Sequence, residues 1–216
     1  AVIRLSGDRA ISITDRVFFS KSGVPLSERK GYTAAYGRLV WKGKELDESV
    51  ATVFRAPKSY TGEDVVELSC HGGVFLAREV LRALLDQGAV LAQPGEFTKR
   101  AFLNGKLSLT QAEAVADMIS AKSTQALQAA RSQLGGALHR KLEEIQEMLV
   151  EQAAHLAAWA DYPEEDISDL SLEELLSTLE KACREMDRLL ATFDRGKLIR
   201  EGIDTVIAGK PNVGKS

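Results

Sequence analysis

The last eight residues, "GKPNVGKS" from Gly209 to Ser216, fit the phosphate-loop pattern Gly-x-x-x-x-Gly-Lys-Ser. The chemistry needs these residue types in this order. Glycines let backbone N–H groups turn inward onto phosphate oxygens, Lys215 reaches the β- and γ-phosphates, and Ser216 offers a hydroxyl to Mg²⁺. The run before it, "IDTVIAG", is short and β-branched, so a strand leads into the loop as the mechanism requires. Asn212, Val213, Gly214, Lys215 and Ser216 are the candidate nucleotide-binding residues. The motif alone does not choose between ATP and GTP. Base-reading and switch segments would lie beyond Ser216, so the chain by itself is expected to be inactive, and no catalytic residue is identifiable in it.

Other reactive side chains read more quietly. Cys70 and His71 are neighbours, but adjacent side chains on a strand point to opposite faces, which argues against a dyad. Cys70, Cys183, His71, His139 and His155 show no metal-ligand or disulfide spacing. Cys183 reads as core, Trp159 and His155 as a pair packed within a helical bundle, and Gly72-Gly73 as close packing at a helix start. In "DVVEL", alternation puts Val66 and Leu68 on one face and Glu67 on the other, an ordinary solvated glutamate when taken alone. Arg4 stands between Ile3 and Leu5 and needs a partner if buried. Lys106, beside Gly105, reads as a surface lysine. The acidic stretch "YPEEDISD" (162–169) reads as a solvated loop, with docking of a basic partner surface as the alternative.

Bulk properties bound the class. The 216 residues, 44% hydrophobic and 27% charged, suit one large or two modest globular domains. A net charge of -3 gives no footprint for non-specific nucleic-acid binding. No apolar run approaches the ~20 residues needed to span a bilayer, and no targeting segment is visible, so a cytoplasmic, reduced setting without membrane is expected.

The elements that must position these residues change character near residue 105. Before it, the short runs "AVIRL", "AISIT", "GYTAAYGRLVW" and "SVATVFRAP" alternate with turns, and Lys42-Gly43-Lys44 reads as a hairpin connection. One stretch there has helical period, "VFLAREVLRALLDQG", stopped by Gly88. After residue 105 nearly everything is helical. A first helix opens on a Thr110/Glu113 capping box and runs to Gly135-Gly136, and a second ends at Tyr162-Pro163. A third opens on Ser171/Glu174 and runs to Arg195-Gly196. The expected fold is an α+β N-terminal domain (1–105), an antiparallel helical bundle (106–201), and the truncated start of an α/β P-loop domain (202–216).

Three long stretches, "SYTGEDVVELSCHGG", "PGEFTKRAFLNGKLSLTQAEAVADMI" and "REGIDTVIAGKPNVGKS", closely resemble the MnmE (TrmE) family of tRNA-modification GTPases, in the family's order and over essentially the whole chain. The resemblance implies a tetrahydrofolate-binding, homodimer-forming N-terminal domain and a helical domain into which a Ras-like GTPase domain is inserted. On that reading the chain stops where the inserted domain begins, and the returning helices with their C-terminal cysteine motif lie elsewhere. Family members also usually begin with about twenty more residues, including a Gly-rich segment, so upstream residues are expected before Ala1. The family works with a flavoprotein partner of the MnmG (GidA) type, which carries FAD and uses NADH, and reaches tRNA through that complex. Together they place an aminomethyl-type group on C5 of a wobble uridine.

The same resemblance carries residue roles. Arg4 in "VIRLSG", Glu67 in "VVELSCHGG" and Lys106 in "FLNGK" match the family's contacts to 5-formyl- or methylene-tetrahydrofolate. A pterin presents two adjacent N–H donors that a carboxylate accepts, and folate's tail carboxylates suit cations. Asn212 matches a potassium ligand and Ser216 the Mg²⁺ ligand, which implies GTP hydrolysis dependent on K⁺. A P-loop switch GTPase of ribosome assembly, and a catalytically inert folate-binding dimerisation fragment, are the competing readings.

Overall fold

The computed structural model describes residues 1–161, 172–202, 205, 206, 208 and 209. Asn212 to Ser216, the acidic stretch 162–169 and the Ser171 cap lie outside the described residues. The chain divides into two compact units, Ala1–Ala112 and Glu113–Ser216.

The first unit is a five-stranded antiparallel sheet with helices packed on one face. The strands are β1 (Val2–Ser6), β2 (Phe18–Ser20), β3 (Thr33–Trp41), β4 (Lys44–Phe54) and β5 (Val65–Ser69), in the order β1-β5-β4-β3-β2. Alternation sets the register. Leu5, Val66, Leu68, Ala51, Val53, Ala35, Leu39 and Phe18 all point to one face, and a slip of one residue would expose the whole set. Against them pack Ile11 and Ile13 of helix α1 (Ala10–Thr14) and Val80, Ala83 and Leu84 of α2 (Val74–Asp86). Full burial of a side chain such as Leu68 or Leu84 contributes about 1.5–3 kcal/mol. The expected hairpin joins β3 to β4, with Lys42 (φ 51) and Gly43 (φ 75) both left-handed, as a tight two-residue turn requires.

The opposite sheet face carries Arg4, Glu67, Val2, Val50, Tyr36 and Phe19, of which the four apolar or aromatic side chains are exposed. Helix α3 (Glu96–Leu103) and the start of α4 (Leu109–Ser120) complete this unit.

Several elements differ from the sequence reading. "AISIT" is the helix α1, not an extended run, because Ala10, Ile11, Ile13 and Thr14 bury one helical face. The cap of α4 is Ser108 with Gln111 rather than Thr110 with Glu113. The Gln111 N–H donates to Ser108 Oγ at 3.3 Å and the Ser108 N–H to Gln111 Oε1 at 2.9 Å, the same reciprocal box two residues earlier. The first long helix is two. After α4 ends at Ser120, Ser123 accepts the Ala126 N–H at 3.1 Å and starts α5 (Thr124–Leu134). Helix α6 (Ala137–Asp161) follows the Gly135-Gly136 break. The third expected helix is also divided, into α7 (Leu172–Leu190) and α8 (Phe193–Glu201), with Gly196 inside α8 rather than beyond its end.

In the second unit α6 packs on α5 and α7, and α5 packs on α8. Among the described residues its buried hydrophobic side chains are mostly small, Ala114, Ala126, Ala130 and Ala182 with Ile145. Leu142, Met186, Leu190 and Phe193 remain exposed beside a groove of about 570 Å³. Cys183 is exposed although its neighbour Ala182 is buried, so it is not a core residue. Trp159 and His155 likewise lie on the exposed surface of α6 instead of within the bundle.

Candidate functional site

The central pair of the site is made by strand register. Arg4 on β1 stands directly opposite Glu67 on β5 on the sheet face away from the helical core. Arg4 Nε donates to Glu67 Oε1 at 2.6 Å, and Nη2 lies 2.5 Å from the same oxygen. These contacts fall on Oε1 and fix the carboxylate in direction, and Oε2 has no hydrogen-bond partner among the described residues. The Arg4 guanidinium also lies over the Phe97 ring of α3, 5.9 Å from its centroid.

Lys106 is held by different segments. Its N–H donates to the Ala101 carbonyl at 2.8 Å as the chain leaves α3 through Gly105 (φ 68), and Asn104 Nδ2 donates to the Thr61 carbonyl at 2.8 Å. The Lys106 stem crosses Gly62, where an added Cβ would stand 3.3 Å from Lys106 Cγ, and its Nζ donates to the Pro57 carbonyl at 3.2 Å. Lys106 thus touches the loop between β4 and β5, not Arg4 or Glu67. The structure brings Arg4 and Glu67 together and leaves Lys106 outside that pair. A neutral carbonyl is its partner, so its charge is uncompensated among the described residues.

A second layer joins these parts. Arg100 donates to Glu96 Oε1 from Nε at 3.1 Å and Nη2 at 2.9 Å, and from Nη1 to Glu63 Oε1 at 3.2 Å. Ser6 Oγ donates to Glu63 Oε2 at 2.8 Å and lies 2.6 Å from Thr61 Oγ1, which belongs to a fully buried residue. The Gln93 N–H, and next Arg100, hold the Glu96 carboxyl below the usual carboxylate range. Sequence reading named none of Ser6, Thr61, Glu63, Phe97 or Arg100. The signal available was the Glu96/Arg100 spacing of four, which pairs across one helical turn.

Cys70 and His71 meet different partners. Cys70 is buried with its thiol 3.7 Å from the Ala1 carbonyl, while His71 is exposed and its Nδ1 lies 2.7 Å from Asp47 Oδ1. Gly72 and Gly73 are not packing glycines, since a Cβ at either meets nothing within 4 Å. No cluster of three or more His, Cys, Asp or Glu side chains suited to a metal occurs among the described residues. Nor is any helix among them long and apolar enough to cross a membrane.

The chain thus holds an antiparallel sheet unit with a polar pair on its open face, followed in sequence by a helical unit. Two family models match it, one after the other: GTP-binding protein TrmE N-terminus over residues 1–106 and MnmE helical domain over 109–211. Proteins named tRNA modification GTPase MnmE align along the whole chain. Those of Carboxydothermus hydrogenoformans, Symbiobacterium thermophilum and Geobacillus kaustophilus are 45%, 47% and 45% identical, over 217, 216 and 219 residues. The chain belongs to the MnmE/TrmE family. It spans about half, 47%, of the length of these relatives.

Proposed function

We propose that the chain is the folate-binding and helical part of a tRNA-modification GTPase. The observation that carries this reading is the Arg4–Glu67 pair on the open sheet face of a chain 45% identical to a protein named for that activity. Glu67 accepts the adjacent N–H donors of a pterin through its open edge, with Arg4 fixing its orientation and Phe97 offering a flat apolar neighbour. Lys106, whose ammonium meets only a neutral carbonyl among the described residues, turns its charge to a tail carboxylate of 5-formyl- or methylene-tetrahydrofolate. The one-carbon unit then goes, with a flavoprotein partner carrying FAD and using NADH, to C5 of a wobble uridine.

Nucleotide binding belongs to the stretch that ends the chain. Lys215 and the backbone of Val213 and Gly214 bind the phosphates of GTP, Ser216 holds Mg²⁺, and Asn212 supplies a neutral oxygen to K⁺. K⁺ beside the transferring phosphate replaces an arginine finger, an effect worth ~10³–10⁵ in rate. Homodimer formation through the first domain suits its open face, where Val2, Phe19, Tyr36 and Val50 are exposed together. The groove beside Leu142, Met186 and Phe193 suits a bundle that further helices complete.

The test is GTP hydrolysis by the full-length protein in KCl against NaCl. Activity in K⁺ that falls at least tenfold in Na⁺ is expected. Equal rates in both salts contradict the potassium role, and no hydrolysis in either contradicts the GTPase reading.

A further inference from the structure

We propose that Arg100 is a positioning residue of the folate site, acting through Lys106; the assignment rests on the folate reading above. One guanidinium ties α3 to the loop between β4 and β5, and through Glu63 that tie extends to β1. Its Nη1 reaches Glu63 in the loop between β4 and β5, and its Nε and Nη2 hold Glu96 at the start of α3. Glu63 in turn takes the hydroxyl of Ser6, two residues along β1 from Arg4. The planar fork is what allows contact with two carboxylates at once, and an ammonium cannot reproduce it.

The backbone of the same turn carries Lys106. The Asn104 N–H donates to the Arg100 carbonyl at 2.9 Å, and the Lys106 N–H to the neighbouring Ala101 carbonyl at 2.8 Å. Asn104 Nδ2 then reaches back to Thr61, and Lys106 Nζ to Pro57, both in the loop that Arg100 grips through Glu63. Releasing Arg100 therefore removes the charged tie between α3 and that loop, leaves Asn104 and Lys106 to hold the two together, and loosens the place of the Lys106 ammonium. It also leaves Glu63 half-buried without its cation, which favours rearrangement of the loop.

The experiment is calorimetric titration of 5-formyl-tetrahydrofolate into the full-length protein and into Arg100→Ala, Arg100→Lys, Lys106→Ala and Arg100→Ala/Lys106→Ala, with folding checked by circular dichroism. Arg100→Ala is expected to weaken binding at least tenfold, and Arg100→Lys by a smaller factor. In the Lys106→Ala background the loss of Arg100 should cost less than about threefold, because residues acting through one another are not additive. A purely structural arginine would give the same factor with and without Lys106, and that result overturns the assignment. So does an Arg100→Ala protein that binds as tightly as wild type. If Arg100→Ala does not fold, Arg100→Lys and Glu63→Gln decide it: weakened binding upholds the assignment, wild-type affinity in both overturns it. Failure of the wild-type protein to bind is a separate outcome, which removes the folate reading and this assignment with it.

Discussion

Arg4 and Glu67 lie 63 residues apart in sequence and directly opposite in space, joined by a 2.6 Å hydrogen bond across the β1–β5 pair. The pair stands on the open face of the sheet, with the Arg4 side chain 47% and the Glu67 side chain 28% exposed. Solvent weakens such a pair, so Arg4→Ala should change folding stability by less than about 1 kcal/mol in urea denaturation. Its folate affinity should nevertheless fall at least tenfold, since the side chain that orients Glu67 has gone. A large stability loss with intact binding would reverse that division of labour.

Gly62 is under two constraints. Its φ of +81° is one that side-chain-bearing residues rarely adopt, and a Cβ there would stand 3.3 Å from Asn104 Cβ and Lys106 Cγ. Gly62→Ala is expected to cost about 1–3 kcal/mol, read as a lower urea midpoint at unchanged slope.

The Glu96 carboxyl titrates below its ordinary value because the Gln93 N–H, and next Arg100, favour its charged form. Its contribution to stability is therefore fully present above the unfolded pKa, about 4.3, and is lost as pH falls through the lower folded value. The stability difference between wild type and Glu96→Gln should be constant from pH 7 to pH 5 and shrink below about pH 4. Denaturation midpoints along that series check it.

The two thiols should part company. Cys183 is exposed and Cys70 is buried, so brief alkylation of the native chain is expected to modify Cys183 alone. Cys70 should react only after unfolding, as mass spectrometry of the peptides would show.

Local signals carried β1, β3, β4, β5 and the central hairpin, while the three-residue β2 (Phe18–Ser20) was too short to show. Alternation in "GYTAAYGRLVW" and "SVATVFRAP", with Lys42-Gly43 between them, was enough for β3 and β4. The same alternation placed Glu67 opposite to Val66 and Leu68. Its pairing with Arg4 was not legible, because register between strands far apart in sequence is set by the shared core. "AISIT" failed for a related reason: five residues carry too little period, and packing against β5 made them helical. Two overlapping capping patterns began at Ser108 and Thr110, and only the true helix start at Leu109 chose between them. The residues proposed for folate were picked out from long motifs. The network that supports them was not, because Ser6, Glu63 and Arg100 meet only in the folded chain.

The most direct measurement is calorimetric titration of 5-formyl-tetrahydrofolate into the protein beside its Glu67→Ala variant. Binding in the micromolar range, about -8 kcal/mol, with at least a tenfold loss in a folded variant, is the expected result. A folded wild-type protein that takes up no folate, or a Glu67→Ala variant that binds as tightly as wild type, would contradict the site.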